Sequence, residues 1–154
     1  MRSFRVWWLT LALLVLGGCA STPQAPSAHD AEAKQFMTYP GFAAIYVFRP
    51  DFPAAVMEDT VLHVDERLIG QTLPGAFFRV DVQPGTHVVR ASAGGATEIT
   101  VNARADEIYY VQLNVISGAG SRLSLVEPVR AQAAIRKCCA LLENWAPAQR
   151  PFIR

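Results

Sequence analysis

Ala76-Phe77-Phe78-Arg79-Val80-Asp81-Val82, then Gln83-Pro84-Gly85, then Thr86-His87-Val88-Val89-Arg90-Ala91-Ser92: this stretch decides the fold. Its first arm alternates, with Phe78, Val80 and Val82 on one face and Arg79 and Asp81 on the other. Alternation with period two marks a half-buried strand, because successive side chains point to opposite sides of the pleat. Pro before Gly matches type II turn chemistry, so the chain returns as a second strand over 86–92.

The same pattern extends in both directions. Ala43–Arg49 (AAIYVFR) is rich in β-branched and aromatic residues, which favour a strand, and Pro50-Asp51-Phe52-Pro53 ends it. Residues 61–64 (VLHV) and 68–71 (LIGQ) flank a turn at Asp65-Glu66-Arg67 and read as a hairpin, and Pro74-Gly75 punctuates. Residues 96–102 point Thr97, Ile99 and Val101 inward, while 107–115 place Tyr109, Val111, Leu113 and Val115 on one face. Gly118-Ala119-Gly120 opens a loop before a last strand over 122–126. Seven or eight short strands between turns predict a mainly β fold, an antiparallel β-sandwich with one wet face per sheet. After Pro128 the period changes. Ala131, Ile135, Cys138, Leu142 and Trp145 recur at steps of three and four, which predicts one C-terminal amphipathic helix over 128–145. Pro128 suits its first turn and Pro147 lies just past its end. The sandwich and its helix thus occupy 39–146, and 147–154 form a tail.

Composition bounds the rest. A chain of 154 residues holds one ordinary domain. With 51% hydrophobic and 18% charged residues it is no disordered polyelectrolyte. A net charge of +1 excludes a strongly basic nucleic-acid footprint, and three cysteines exclude a disulfide-dense scaffold.

The N-terminus reads MRSFRVWWLTLALLVLGGC. Arg2 and Arg5 precede an apolar run over 6–16, the length of a signal-peptide core and too short to span a bilayer comfortably. Leu16-Gly17-Gly18-Cys19 at its end resembles the bacterial lipobox. That resemblance implies a signal peptide over 1–18, recognised through Leu16, Gly17 and Gly18, and a diacylglyceryl group on the Cys19 sulfur. Ala20 stands where an aspartate would favour inner-membrane retention, so the expected place is the outer membrane, facing the periplasm. Cleavage removes Arg2 and Arg5 and leaves 12 basic against 13 acidic side chains, so lipid rather than a basic patch is the means of attachment. Residues 19–38 are small, polar and proline-bearing and read as a lipidated end and flexible tether. Such a coil would hold the domain roughly 20–30 Å from the membrane, with at most a marginal short helix around 31–35.

The order of motifs Ile45-Tyr46-Val47-Phe48-Arg49-Pro50, Val64-Asp65, Ile69-Gly70, Phe77-Phe78, Val82-Gln83-Pro84-Gly85-Thr86-His87, Glu107-Ile108-Tyr109-Tyr110-Val111 and Leu123-Ser124-Leu125-Val126 resembles a bacterial lipoprotein family known as domain of unknown function 2846. It is more loosely similar to sandwich domains of the PEGA type. The resemblance covers about 43–135. It implies a lipoprotein and a sandwich, and no particular activity or catalytic residues. The family's hairpin carries Asp-Gly where this chain has Asp65-Glu66, which implies a wider turn here.

Candidate chemistry is sparse. His63 and His87 lie on separate strands without ligand spacing, and the paired acids Glu58-Asp59, Asp65-Glu66 and Asp106-Glu107 fall at turns. No catalytic residue, metal site or cofactor is expected. Two features remain. If Phe78 faces inward, Phe77 faces outward, and Tyr110 shares a face with Gln112 and Asn114, so these four form a possible binding face. The alternative is that this side lies under the C-terminal helix. Cys138 and Cys139 are either two small buried hydrophobes or a redox-active or intermolecular pair. Neighbours on a helix point about 100° apart, so a bond between them is not expected. The reading is a non-enzymatic envelope lipoprotein with a protein or peptidoglycan partner and no nucleic acid. The alternatives are an envelope hydrolase, a thiol-redox protein using Cys138 and Cys139, and a structural subunit with a sheet edge open to strand addition.

Overall fold

The structure, a computed structural model, describes residues 22–51, 60–92, 95–116 and 120–144. The expected signal peptide with Leu16, Gly17, Gly18 and the expected lipidation residue Cys19, the loop residue Phe52, the acids Glu58-Asp59, Gly118-Ala119, Trp145 and the expected 147–154 tail lie outside them.

Nine strands fall among the described residues: β1 Ala43–Arg49, β2 Thr60–Val64, β3 Arg67–Thr72, β4 Ala76–Val82, β5 Gly85–Ser92, β6 Ala96–Ala103, β7 Ile108–Ile116, β8 Gly120–Leu125 and β9 Ala140–Leu141. Helices α1 (Ser27–Ala33) and α2 (Pro128–Cys138) flank them. One sheet has the order β8-β7-β1-β4-β9 and the other β3-β2-β5-β6. This is the expected sandwich with a C-terminal helix. Most ladders are antiparallel, but β1 pairs with β7 in parallel, as does β4 with β9. A parallel neighbour needs a long crossover, and the excursion through the second sheet supplies it between β1 and β7.

Alternation sets the inter-sheet core. Ile45, Val47, Phe78, Val80, Val82, Val111 and Leu113 meet Leu62, Val64, Ile69, Val89 and Val101. The four-stranded sheet keeps an outer face carrying exposed Glu98, Thr100 and Asn102. The five-stranded sheet has no wet face along β1, which is buried at every position. Its second side, with Ala44, Tyr46, Phe48, Phe77 and Tyr110, forms another apolar cluster beneath the helices with Ala33, Phe36, Ala131 and Ile135. The molecule is therefore three layers deep, and each large side chain so covered contributes about 1.5–3 kcal/mol of transfer free energy.

Three local differences from the sequence reading have physical reasons. Helix α2 ends at Cys138 because Cys139 is extended, with φ −122° and ψ 137°. Leu141 then faces the helix-side cluster and Leu142 the inter-sheet core. This period-two segment replaces the helical stripe that the sequence predicts up to residue 145. The Asp65-Glu66 turn is not wide: Val64 pairs with Arg67, and both loop residues take positive φ, 51° and 65°. That is the geometry of a type I′ hairpin, held without glycine. Finally, residues from Thr22 onward are not a flexible tether. They fold onto the sandwich, as set out next.

Candidate functional site

The segment 22–36 is bonded to both sheets. Thr22 is 3% exposed, and its hydroxyl accepts the Gln71 N–H of edge strand β3 at 2.8 Å. Gly70 makes room for it: a Cβ there would sit 3.3 Å from Thr22 Cγ2 and 2.9 Å from Phe78 Cζ. The next residues pair with the other sheet's edge. Glu143 N–H donates to Pro23 O at 2.9 Å, Ala25 N–H donates to Leu141 O at 2.8 Å, and Gln24 bridges Leu142 antiparallel. The strap thus extends the five-stranded sheet past β9 and covers the β3 edge beside it, a standard protection for unpaired backbone.

Helix α1 follows. Seven residues are too few for an independent helix, so contacts must hold it. Asp30 accepts the Leu141 N–H at 2.8 Å and pairs with Lys34 at 2.8 Å. The buried Tyr46 hydroxyl donates to Ala33 O at 2.8 Å. Phe36 closes the helix at φ 53° and is 9% exposed. A non-glycine residue pays a steric cost in that region, and the ring's surroundings offset it. Phe36 lies 5.5 Å from Tyr46 and 5.9 Å from Tyr110, with the Arg136 guanidinium 4.7 Å over its face. Arg79 extends the cluster. It bonds Asp81 at 2.9 Å, donates to Met37 O at 3.0 Å and lies 5.1 Å over Tyr39.

The proposed binding face is the floor of this cluster. Phe77 is 1% and Tyr110 2% exposed, so neither meets a ligand from solvent. The Tyr110 hydroxyl accepts from Gln132 Nε2 of α2 at 2.8 Å. Gln112 and Asn114, half-buried beside it, bond each other at 2.8 Å. Alternation told which side these residues share but not that a helix lies over it. Burial pushes the Tyr46 phenol well above the usual tyrosine range, against the pull of Arg79. Burial also raises Tyr110, against the Gln132 hydrogen bond and the Arg136 charge. Both phenols stay neutral and serve as hydrogen-bonding groups.

Cys138 and Cys139 are joined to each other by a disulfide. The expectation that they could not pair placed both on one helix, whereas Cys139 has left it. Cys139 is buried with its sulfur 3.9 Å from Arg49 O, and Cys138 is half-buried. The end of a helix presents carbonyl dipoles, which disfavour a thiolate. The pair marks the corner at which α2 gives way to β9, and Ala140 N–H there donates to Gly75 O at 3.0 Å.

Most of the remaining candidates are engaged in holding the fold. Asp65 accepts the Val88 N–H at 2.9 Å and meets His87 Nδ1 at 2.5 Å, while His87 Nε2 lies 2.7 Å from Gln83 O. This ties the hairpin tip to β5. Asp106 accepts the Gly41 N–H at 2.9 Å, and Glu107 accepts the Tyr109 hydroxyl proton at 2.6 Å. His63 lies on β2 opposite Arg90, away from His87. No group of three metal-ligating side chains occurs among the described residues. Arg49, unremarked in the sequence, is buried at the end of β1 with Nη1 3.5 Å from both O and Oγ1 of Thr72.

The strap is what sequence reasoning missed. Its buried residues are mostly small, Thr22, Ala25 and Ala33, and carry little hydropathy signal. The Asp30/Lys34 spacing and Phe36 were the available hints.

No protein-family model matches the chain. The chain is similar to an uncharacterised protein of Haemophilus influenzae, 25% identical over 129 residues that cover 80% of this chain and 76% of the relative.

Proposed function

We propose that this chain is a lipid-anchored protein of the bacterial envelope, cut before Cys19 and acylated on it, whose β-sandwich serves as a non-enzymatic binding or structural module. The observation that carries the reading is the distance between the anchor motif and the fold. Leu16-Gly17-Gly18-Cys19 ends three residues before Thr22, the first described residue, which is packed into the domain. Cleavage before Cys19 therefore leaves every described contact in place. No helix among the described residues is long and apolar enough to cross a membrane, and acyl chains would supply attachment at about 0.8 kcal/mol per buried methylene. The non-enzymatic part rests on the polar side chains themselves: Asp30, Asp65, Asp106, Glu107 and His87 are each spent on holding a turn, a strap or a strand.

Ala20 after the cysteine supports an outer-membrane, periplasm-facing location, and a protein or peptidoglycan partner is the expected ligand class. Intact mass of the membrane-extracted protein beside Cys19→Ala, with in-cell crosslinking of both, tests the reading. A mass that begins at Cys19 plus acyl chains, lost in the variant along with the crosslinked partner, supports it. A soluble, unacylated chain refutes it.

A further inference from the structure

We infer that the domain stands edge-on against the membrane, with the strap edge formed by Pro23, Gln24, β3 and β9 lying on the lipid headgroups and the β6 and β8 edges facing away. The inference rests on the lipidation proposed above and adds an orientation to it.

Chain reach limits where the anchor can lie. Thr22 is buried and fixed to Gln71 of β3, and Pro23 and Ala25 are bonded to Glu143 and Leu141. Three peptide units separate Cys19 from Thr22, so whatever their conformation the acylated residue lies within about 11 Å of Thr22, which is itself bonded to the β3 edge. A free coil over 20–38 would have placed the domain two to three times farther off and let it turn in any direction. Because the strap bridges the edges of both sheets, one point of attachment selects one side of the sandwich. The opposite side carries β6 and β8, the terminal strands of the two sheets. Three strand spacings separate β3 from β6 and four separate β9 from β8, about 14 Å and 19 Å respectively.

The chemistry of the near edge suits a headgroup surface. Residues 20–28 carry no charged side chain, so an anionic leaflet meets no acidic group along the anchored segment. Pro23, Gln24, Pro26, Ser27 and Ala28 are all exposed. All but Gln24 are small, which allows close approach.

Depth-dependent quenching tests the orientation. Cleavage before Cys19 leaves Trp145 as the one tryptophan of the chain, so Trp145→Phe gives a silent background. Into it go Pro23→Trp and Gln24→Trp at the near edge and Thr100→Trp and Arg122→Trp at the far strands, all at exposed positions. The lipidated proteins are placed in phosphatidylethanolamine/phosphatidylglycerol vesicles carrying a nitroxide at the headgroup, and each sample is weighed by mass spectrometry. The expected result is loss of most of the emission from positions 23 and 24 and no loss from 100 and 122. A flexible insert of about ten Gly/Ser residues between Ser21 and Thr22 should abolish that difference without unfolding the domain. Acylated proteins with equal quenching at all four positions would overturn the orientation alone. A mass without acyl chains would overturn the lipidation and the orientation together.

Discussion

Phe36 is the residue on which the strap's attachment depends most, and replacing it separates a packed strap from a solvated tether. Phe36→Ala removes a ring that is 9% exposed, with aromatic neighbours at 5.5 and 5.9 Å and a guanidinium at 4.7 Å. Truncating a phenylalanine in a closed core costs about 3–5 kcal/mol. Here the ring lies under a short helix that can settle into the gap, so about 2–4 kcal/mol is expected. Alanine would still hold φ near 53°. Phe36→Gly loses the same ring but removes the left-handed penalty, and should recover about 1 kcal/mol relative to Phe36→Ala. Urea unfolding followed by circular dichroism measures both, and a common slope would show that midpoints report stability. Two outcomes would refute the reasoning. One is both variants within about 0.5 kcal/mol of the parent, the result for a surface residue on a tether. The other is Phe36→Gly markedly weaker than Phe36→Ala.

Other expectations follow from the same contacts. The buried phenols of Tyr46 and Tyr110 are raised above their ordinary value of 10.0, so the folded state holds their protons more tightly than the unfolded chain. Their contribution is full below about pH 10 and is lost as pH rises beyond it, so unfolding free energy should fall in that window and fall less steeply in Tyr46→Phe. At neutral pH Tyr46→Phe should cost about 1–2 kcal/mol by removing the buried hydrogen bond to the Ala33 carbonyl, which keeps only the longer bond from the Phe36 N–H at 3.1 Å. Glu66→Gly relieves a positive φ at an exposed turn residue and should raise stability by about 0.5–1 kcal/mol in thermal unfolding, whereas a loss would contradict the type I′ assignment. Alkylation of the native protein should label neither Cys138 nor Cys139 until a reductant is added. Reduction should then cost about 1 kcal/mol or less, because a bond between neighbours restricts little of the unfolded chain. A covalent dimer on a non-reducing gel would contradict the intrachain pairing.

How much of this could be read from sequence depends on which physical signal each part carries. Alternation in Ala76–Val82 and in the strands around it was legible because one face of each is wet or differs in polarity from the other. It failed for β1, buried at all positions, where only the β-branched and aromatic content marked a strand. Face was legible and cover was not. Phe77 and Tyr110 were correctly placed on the side opposite Phe78 and Val111, yet which element lies on that side is a tertiary fact. Small residues hid the strap, since close backbone approach selects Thr22, Ala25 and Gly70 by what they lack. The Cys138-Cys139 bond was unreadable because an alanine- and leucine-rich run continued a helical stripe through a residue that is extended.

What matters most is that the chain is already packed onto the sandwich at Thr22, three residues after the proposed lipidation site Cys19. Amide hydrogen exchange on the folded protein tests it most directly, at Gln71, Ala25 and Glu143. The Gln71 N–H points to the sheet edge and is bonded to the Thr22 hydroxyl, and the Ala25 and Glu143 amides are bonded across the strap. The account predicts slow exchange at all three, and a Gln71 amide that becomes fast in Thr22→Ala while the amides of central strand β1 stay protected. Fast exchange at all three in the parent protein would mean that the strap is unattached, and would return residues 22–36 to a tether.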